Sequence, residues 1–214
     1  PGGENPGGGN DGGDDTPTAP AEKFTLSDDK MTLTSWNSTG DTTDDMTADP
    51  ELAKVKKIGD NAFAKVEGLT SITLPEGLTE IGTMAFANTK LTSIQFPSKL
   101  TTIGVSAFLT SGLTAVTIPD SVTEIKQSAF NGNSISTVEI GTGIQKIGHS
   151  AFIGNPLRNV TVNALTPPAL EENAFGRARS MRNLSIFVPA EKVEEYKAAE
   201  RWKTYASKIK AKTK

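Results

Sequence analysis

The sequence lacks the residues on which most small catalytic and metal-binding sites depend. There is no cysteine among the 214 residues, and His149 is the single histidine. A chain without cysteine forms no disulfide and offers no thiolate to a metal ion. One histidine and no cysteine leave almost no material for a Ser/His or Cys/His catalytic arrangement. We therefore expect a protein that is not an enzyme and that needs neither a cofactor nor a metal.

Strong charge and long apolar runs are absent as well. The net charge is -3, whereas nucleic-acid-binding domains usually carry a basic stripe, so we expect no nucleic-acid partner. No apolar run approaches the roughly 20 residues that cross a bilayer, and no signal peptide is recognisable. The chain begins in a glycine-rich stretch, which is compatible with an upstream targeting segment that has been removed.

What the sequence does contain is one dipeptide that returns at a nearly constant interval. The differences between neighbouring phenylalanine numbers in this dipeptide are 23, 22, 22, 22 and 23 residues. Such a period indicates one supersecondary unit that is stacked on copies of itself, which is a solenoid. The six copies are Ala62-Phe63, Ala85-Phe86, Ala107-Phe108, Ala129-Phe130, Ala151-Phe152 and Ala174-Phe175.

Each repeat has the same internal pattern. Alternation at Ile72, Thr73 and Leu74 predicts a short strand with two side chains inward and one outward. Proline or another turn former closes the strand, and a second apolar segment leads to the Ala-Phe pair. Stacked coils would pair the strands in parallel, and the six phenylalanine rings would stack and close the seams between coils. The predicted strands are centred on Ile72/Leu74, Ile94/Phe96, Val116/Ile118, Val138/Ile140, Val160/Val162 and Ile186/Val188.

The composition divides the chain into four segments. Residues 1–23 are mostly glycine, proline, aspartate and threonine, which predicts a disordered tether. Residues 24–57 begin with a hairpin signal, continue through an acid-rich loop from Asn37 to Pro50, and are expected to form an N-terminal β cap. Residues 58–189 are the solenoid of about six coils. In residues 190–214, apolar side chains recur at helical spacing from Val193 to Ile209, which predicts a helical cap with a basic tail.

The repeat resembles a known family. Leu-x-x-Ile-x-Leu-Pro followed by Leu-Thr-x-Ile-Gly-x-x-Ala-Phe, as in Leu69 to Phe86 and Leu113 to Phe130, is similar to the BspA-type leucine-rich repeat of bacterial surface proteins. The resemblance covers residues 58–189 and implies an α/β leucine-rich-repeat solenoid with short parallel strands. It also implies a secreted or lipid-anchored surface protein that adheres to host or bacterial partners. The family shares no catalytic residues, so none is carried over.

The outward slots of the strands are the candidate contact surface. Their side chains are short, polar and nearly uncharged, so a flat partner would meet a small desolvation penalty. Threonine is also a good strand residue, so a solvated sheet face without a binding role explains these side chains equally well. Phe187 is the exception, an outward aromatic near Arg177, Arg179 and Arg182, and such residues are enriched in binding hot spots. Packing under the C-terminal helix would explain Phe187 as well. The candidate ligand-binding residues are Ser71, Thr73, Gln95, Thr117, Glu139, Thr161 and Phe187.

Two other features are weaker candidates. The acids Asp41, Asp44, Asp45 and Asp49 suggest calcium, but they lack the spacing and central glycine of a calcium loop, and a solvated loop explains them more simply. His149 occupies a slot that holds aspartate, threonine, valine or glutamine in other coils, which indicates a variable outward position.

Two functions therefore remain open. The preferred one is a monomeric, non-catalytic module, displayed on the cell surface, that recognises a host or bacterial protein or glycan through the solenoid face. The alternative is a structural spacer or coat protein with no specific ligand. The only membrane association expected is through a possible upstream lipid anchor.

Overall fold

The computed structural model describes residues 23–37, 43–177 and 181–213. Apart from Lys23, the expected tether lies outside these residues. The described strands are β1 Phe24–Leu26, β2 Thr32–Trp36, β3 Thr43–Asp45, β4 Lys57–Ile58, β5 Ser71–Thr73, β6 Glu80–Ile81, β7 Thr102–Ile103, β8 Ala115–Ile118, β9 Glu124–Ile125, β10 Thr137–Ile140, β11 Lys146–Ile147, β12 Asn159–Val162, β13 Ala169–Leu170, β14 Ser185–Val188 and β15 Ile209–Ala211. The helical elements are α1 Val193–Ala198 and the 3-10 helices Leu52–Lys54, Ala190–Lys192 and Trp202–Lys208.

The second apolar segment of each repeat forms the longest sheet. Its two-residue strands pair in parallel from coil to coil, and the antiparallel β1-β2 hairpin joins the N-terminal end, giving eight strands in the order β1-β2-β4-β6-β7-β9-β11-β13. The second residue of each short strand, isoleucine or in β13 leucine, is buried in the core, while charged side chains pair on the outside, as Lys57 does with Glu80 at 2.9 Å. Short parallel strands in register from coil to coil, with a β hairpin at the N-terminal end, are consistent with the predicted solenoid.

The strands at the start of each repeat form two sheets, where one was predicted. Strands β8, β10, β12 and β14 pair in parallel and β15 extends them, whereas β5 pairs with β3 alone. Residues 93–96, where the second strand was predicted, form none. The two backbone hydrogen bonds that Thr92 forms with neighbouring coils are long, 3.4 Å from Thr92 N to Thr70 O and 3.3 Å from Thr114 N to Thr92 O.

Phe96 distinguishes this coil from the other five. Other coils carry leucine, isoleucine or valine in its slot. Its buried ring lies edge-on to Phe108 at 5.6 Å and to Phe130 at 6.4 Å. We attribute the displacement of residues 93–96 from the ladder to the space that this ring needs. The prediction of an unbroken six-stranded ladder is therefore wrong at this coil.

The predicted phenylalanine stack is confirmed. All six rings are fully buried, and successive ring centroids lie 4.9, 5.0, 5.3, 5.0 and 5.9 Å apart. Tryptophans continue the column at both ends, Trp36 at 5.1 Å from Phe63 and Trp202 at 5.8 Å from Phe175. Each coil therefore presents an aromatic surface that the next coil or a cap must cover.

The turns that carry the first five Ala-Phe pairs are each held by a hydrogen bond to the next coil. The amide of Phe108, for example, donates to the carbonyl oxygen of Ala129 at 2.7 Å. The residue before each alanine adopts a left-handed backbone, with φ between 52° and 59°. Asparagine and serine hold most of these positions, and asparagine tolerates that conformation well. The residues in this slot are Asn61, Met84, Ser106, Ser128, Ser150 and Asn173.

A buried polar ladder runs beside four of the rings, three residues after each of Phe86, Phe108, Phe130 and Phe152. The Asn133 side-chain amide donates to the carbonyl oxygens of Phe108 and Phe130 at 2.7 and 3.0 Å. Its Oδ1 accepts from the amides of Ser111 and Leu113 at 3.0 and 3.1 Å. This slot satisfies backbone groups that would otherwise be buried without partners, at a cost of about 1–3 kcal/mol each.

The C-terminal cap is helical in two pieces and ends in a strand. The predicted helical pattern stops at Ala198, and a 3-10 helix follows at Trp202–Lys208 after Arg201, whose φ is 60°. Ile209, which was predicted to continue the helix, lies in β15 and pairs with Ile186. The Trp202 indole and the Tyr196 hydroxyl donate to buried carbonyl oxygens at 2.8 Å each. Burial raises the pKa of Tyr196, so its hydroxyl remains a donor.

Candidate functional site: the open sheet face

Four of the seven predicted ligand-binding residues lie side by side on the five-stranded sheet. The parallel register aligns Thr117, Glu139, Thr161 and Phe187 in one row, with Lys210 of β15 at its end. A second outward row, in the same register, consists of Ala115, Thr137, Asn159 and Ser185. We call the surface made by these two rows and Lys210 the open sheet face.

The remaining three predicted residues are separated from this row. Ser71 and Thr73 lie on the two-stranded sheet, where Thr73 pairs with Asp45, and Gln95 belongs to no strand. Thr73 and Gln95 instead line a shallow cavity of about 290 Å³ beside the buried Phe96. The seven residues therefore do not form one continuous surface, because the break at residues 93–96 divides it.

Phe187 is half-buried between Thr161 and Lys210 in the register of the sheet. Its row neighbour on the C-terminal side belongs to β15, a strand that the sequence pattern did not predict. Of the three arginines expected nearby, Arg179 lies outside the described residues, and Arg182 lines a different cavity before β14.

Two lysines of the C-terminal segment reach back across the open sheet face. Lys210 Nζ lies 3.0 Å from Ser185 Oγ, and Lys212 Nζ lies 2.9 Å from Asn163 Oδ1 and 3.7 Å from a Glu139 carboxylate oxygen. The sequence indicated a solvated basic tail. Because its apolar spacing predicted a helix, it did not reveal that the chain continues along the sheet after Lys208 and places Lys210 and Lys212 on the open sheet face. The result is a polar surface with an aromatic ring and ammonium groups at one end.

Carboxylates of the acidic segment accept hydrogen bonds from residues close to them in the sequence. Asp45 Oδ1 accepts hydrogen bonds from Thr47, and these bonds hold the pKa of Asp45 below its ordinary value, the side-chain hydroxyl contributing most. Asp49 Oδ1 accepts from the amides of Glu51 and Leu52. Asp44 lies within β3 and not in the expected loop, 3.5 Å from Lys23 Nζ, while Asp41 lies outside the described residues.

No group of three or more potential metal ligands occurs among the residues that the structure describes. His149 is partly buried, and its backbone amide donates to Glu171 at 2.8 Å. None of the helices in the described ranges has the length and apolar character needed to cross a membrane.

Short parallel strands that stack coil upon coil, with an aromatic column and a buried amide ladder between them, define a leucine-rich-repeat solenoid. Residues 51–158 match the model of the BspA type leucine rich repeat region in six copies. The chain belongs to this family. No curated protein matches it.

Three solved structures of bacterial proteins are similar to this chain. The pneumococcal vaccine antigen PcpA is 23% identical, with a TM-score of 0.63 over 89% of this chain and 46% of its own. A leucine rich repeat protein of T. pallidum is 23% identical, with a TM-score of 0.50 over 67% of this chain and 85% of its own. A leucine rich cell surface protein from Faecalibacterium prausnitzii A2-165 is 22% identical, with a TM-score of 0.48 over 68% of this chain and 54% of its own. The chain spans about half the length of PcpA. At 23% identity, the likeness to PcpA and to the T. pallidum protein concerns the fold alone.

Proposed function

We propose that this chain is a non-catalytic binding module, displayed on a bacterial surface, that recognises a protein or glycan through the open sheet face. The row Thr117-Glu139-Thr161-Phe187-Lys210 is the observation that carries the proposal. It offers hydroxyls, a carboxylate, an aromatic ring and an ammonium group on a flat surface, and an aromatic flanked by polar groups is typical of a contact hot spot.

The family supports the class of this function. Proteins with this repeat are bacterial surface proteins that commonly mediate protein binding or adhesion. We extend this to a location on or outside the cell. A lipid anchor attached upstream of this chain, and a monomeric array, complete the proposal.

A structural spacer is the second candidate, and one observation favours it. In the described part of the chain, the large hydrophobic side chains that are exposed are Met31 and Leu165, and neither belongs to the open sheet face. A module that only holds another domain away from the cell wall would have such a uniformly polar exterior, since large apolar patches usually mark interaction sites.

Binding of the purified chain to whole bacterial and epithelial cells and to a glycan array separates the two candidates. The double variant Glu139→Lys/Phe187→Ser alters the open sheet face, and Glu67→Lys reverses a charge at an exposed position outside that face. We expect the double variant to lose at least about tenfold in affinity, because removal of a hot-spot side chain typically costs about 2 kcal/mol or more. Glu67→Lys should bind like the wild type.

Equal binding by all three proteins would exclude the open sheet face as the contact surface. Absence of binding by the wild type to every cell type and glycan would favour the spacer. Thermal unfolding of each variant provides the control for folding.

A further inference from the structure

A cavity lies beside the break at residues 93–96, outside the open sheet face. Its volume is about 290 Å³, and we call it the break cavity. Residues 72–74 and 76, at the end of β5 and in the turn after it, form one wall, and residues 95–98 of the next coil form the other. Thr73 and Gln95, two of the predicted ligand-binding residues, therefore belong to opposite walls.

One backbone acceptor of this cavity lacks its usual donor. Where a residue other than proline closes the strand at the start of a repeat, its amide donates to the preceding coil, as the Asn163 amide does to the Ile140 carbonyl oxygen at 2.9 Å. Pro97 occupies this position beside the cavity, and proline has no amide hydrogen. Among the described residues no other donor reaches the Leu74 carbonyl oxygen, the counterpart of the Ile140 oxygen. Because Leu74 and Pro97 lie on opposite walls, the repeat geometry directs this oxygen toward the cavity.

Proline in this position does not by itself break the ladder. Pro189 occupies the same position in a later coil, and β14 still pairs there with β12. Beside the cavity, residues 93–96 belong to no strand, so no strand of that coil covers the Leu74 oxygen. Leu74 is 5% exposed, and an acceptor with so little access to water gains from a donor that a ligand supplies.

The cavity has an apolar floor and a polar rim. Leu74, Phe96 and Pro97 are buried and form the floor. Four exposed polar side chains surround this floor, two from each wall. The rim side chains are Thr73, Glu76, Gln95 and Ser98.

The rim side chains are free to bind a ligand. Within the described part of the chain, none of the four forms a hydrogen bond or an ion pair. Other outward side chains are engaged, since the Thr101 hydroxyl donates to the Thr79 carbonyl oxygen at 2.9 Å and Glu80 pairs with Lys57. Glu76 is the charged member of the rim, so the cavity disfavours an anionic ligand.

We propose that the break cavity binds one sugar ring of a neutral glycan. One ring hydroxyl donates to the Leu74 carbonyl oxygen and takes the place of the amide that Pro97 lacks. A second hydroxyl donates to the Glu76 carboxylate, and a third bonds to the Gln95 amide on the opposite wall. The apolar face of the ring lies on Phe96 and Pro97. This site is independent of the open sheet face.

The positions of the acceptors favour a sugar over an ammonium group. The Leu74 oxygen and the Glu76 carboxylate belong to one wall, and the Gln95 amide and the Ser98 hydroxyl belong to the other. A lysine ammonium carries its three donors on one nitrogen and would serve one wall, whereas ring hydroxyls are spread around a perimeter and reach both. At about 290 Å³ the cavity is at the lower end of the roughly 300–1,000 Å³ typical of ligand pockets, which suits a single ring.

Chemical-shift titration of the ¹⁵N-labelled chain by NMR tests the proposal, because it measures affinity and locates the ligand together. The probes are the methyl glycosides of glucose, galactose, mannose and N-acetylglucosamine, with N-acetyllysine amide as the cationic comparison. We expect at least one glycoside to bind and to shift the amide signals of residues 72–76 and 95–98. The affinity should be weak, since a single ring is a small ligand.

Two variants with matched controls identify the groups that bind the sugar. Pro97→Asn supplies an amide for the Leu74 oxygen, as Asn163 does for Ile140, and Pro189→Asn makes the same change far along the array. Glu76→Gln removes the charged acceptor, and Glu67→Gln removes an exposed charge elsewhere. We expect Pro97→Asn and Glu76→Gln each to weaken glycoside binding about tenfold or more, since bonds to charged groups and to poorly hydrated acceptors are the strong ones. Both controls should bind like the wild type.

Several results would overturn the proposal: no binding of any glycoside, shifts confined to other residues, or Pro97→Asn and Glu76→Gln variants that bind like their controls. Tighter binding of N-acetyllysine amide than of every glycoside would assign the cavity to a cation instead. The variant Glu139→Lys/Phe187→Ser should bind the glycoside as the wild type does, which keeps this test separate from that of the open sheet face.

Discussion

Two ladders run along the same array, and they differ in regularity. The ladder formed by the second apolar segments continues without interruption from the β1-β2 hairpin to β13. The ladder on the opposite side of each repeat is interrupted at residues 93–96 and divides into sheets of two and five strands. Both ladders belong to the same coils, so the spacing between coils does not depend on the second one.

The difference shows which contacts hold neighbouring coils together. At the break, the phenylalanine stack remains regular, with Phe86 and Phe108 at 5.0 Å and nearly parallel at 7°. The short isoleucine strands also keep their register there, since Ile81 pairs with Ile103. The buried column and the unbroken ladder therefore set the geometry of the coils. The face strands can vary without loss of the fold, which is the freedom that a binding surface needs.

Truncation of a ring in the stack should have the largest effect. Phe108 is fully buried between the rings of Phe86 and Phe130, so Phe108→Ala should reduce the free energy of unfolding by about 3–5 kcal/mol. The matched change on the face, Phe187→Ala, removes a half-buried ring and should cost about 1 kcal/mol or less. Urea unfolding followed by tryptophan fluorescence and circular dichroism measures both.

Trp36 and Trp202 make this measurement informative because they lie at the two ends of the column. Both signals should shift to lower urea in Phe108→Ala. Equal losses in the two alanine variants would mean that the stack contributes no more than the face, and the comparison between the two ladders would fail.

Repair of the broken ladder should have a smaller effect on stability and a local effect on dynamics. Phe96→Ile places in this slot the residue found at Ile118 and Ile140, so residues 93–96 should join the sheets on both sides. We expect their amide hydrogens to exchange about tenfold or more slowly, because they gain strand partners. Total stability should change by less than about 1.5 kcal/mol, since one hydrophobic residue replaces another.

Hydrogen exchange followed by mass spectrometry or NMR makes this test specific. Ile118→Leu, a change within a strand that is already paired, should leave exchange at residues 93–96 unaltered. Unchanged exchange in Phe96→Ile would show that the size of Phe96 is not the cause of the break.

The period of the Ala-Phe pair was sufficient to predict the solenoid. An inward ring at the same position of every coil is most simply buried against the ring of the next coil, which gives a stack. The β cap could also be predicted, since Phe24, Leu26 and Leu33 alternate around a turn. The break in the second ladder could not be predicted, because phenylalanine at position 96 fits the same apolar alternation as the isoleucine of other coils. We attribute the break to the size of the Phe96 ring relative to the space between its neighbours. That space can be measured only in the three-dimensional structure.

Residues of the candidate site were predicted to the extent that they follow strand alternation. Thr117, Glu139, Thr161 and Phe187 lie in one row because four intact strands carry them. Lys210 was missed because the apolar spacing from Val193 to Ile209 predicted a helix, whereas Ile209 and Lys210 lie in strand β15. Asn133 and Asn155 were missed as well, although a polar residue three positions after successive phenylalanines was a visible signal. A comparison of the same slot across coils, applied to polar residues, would have found that ladder.

Charge pairs on the outside of the unbroken ladder should contribute least, and pH dependence can measure them. Lys146 donates to Glu171 at 2.9 Å, and this bond, with the amide of His149, holds the pKa of Glu171 below its ordinary value of 4.5. A lowered pKa in the folded state stabilises the protein above the ordinary carboxyl pKa, and this contribution is lost as the pH falls through the folded value. Glu171→Gln should therefore flatten the decline in stability toward acid pH. The change should be small, because both side chains are more than one third exposed and the solvent screens the pair.

Unfolding curves between neutral and acid pH, with Glu67→Gln as the exposed control, measure the change in stability caused by Glu171→Gln. A flattening as large as the loss caused by Phe108→Ala would show that charge pairs, and not the buried column, hold the unbroken ladder together.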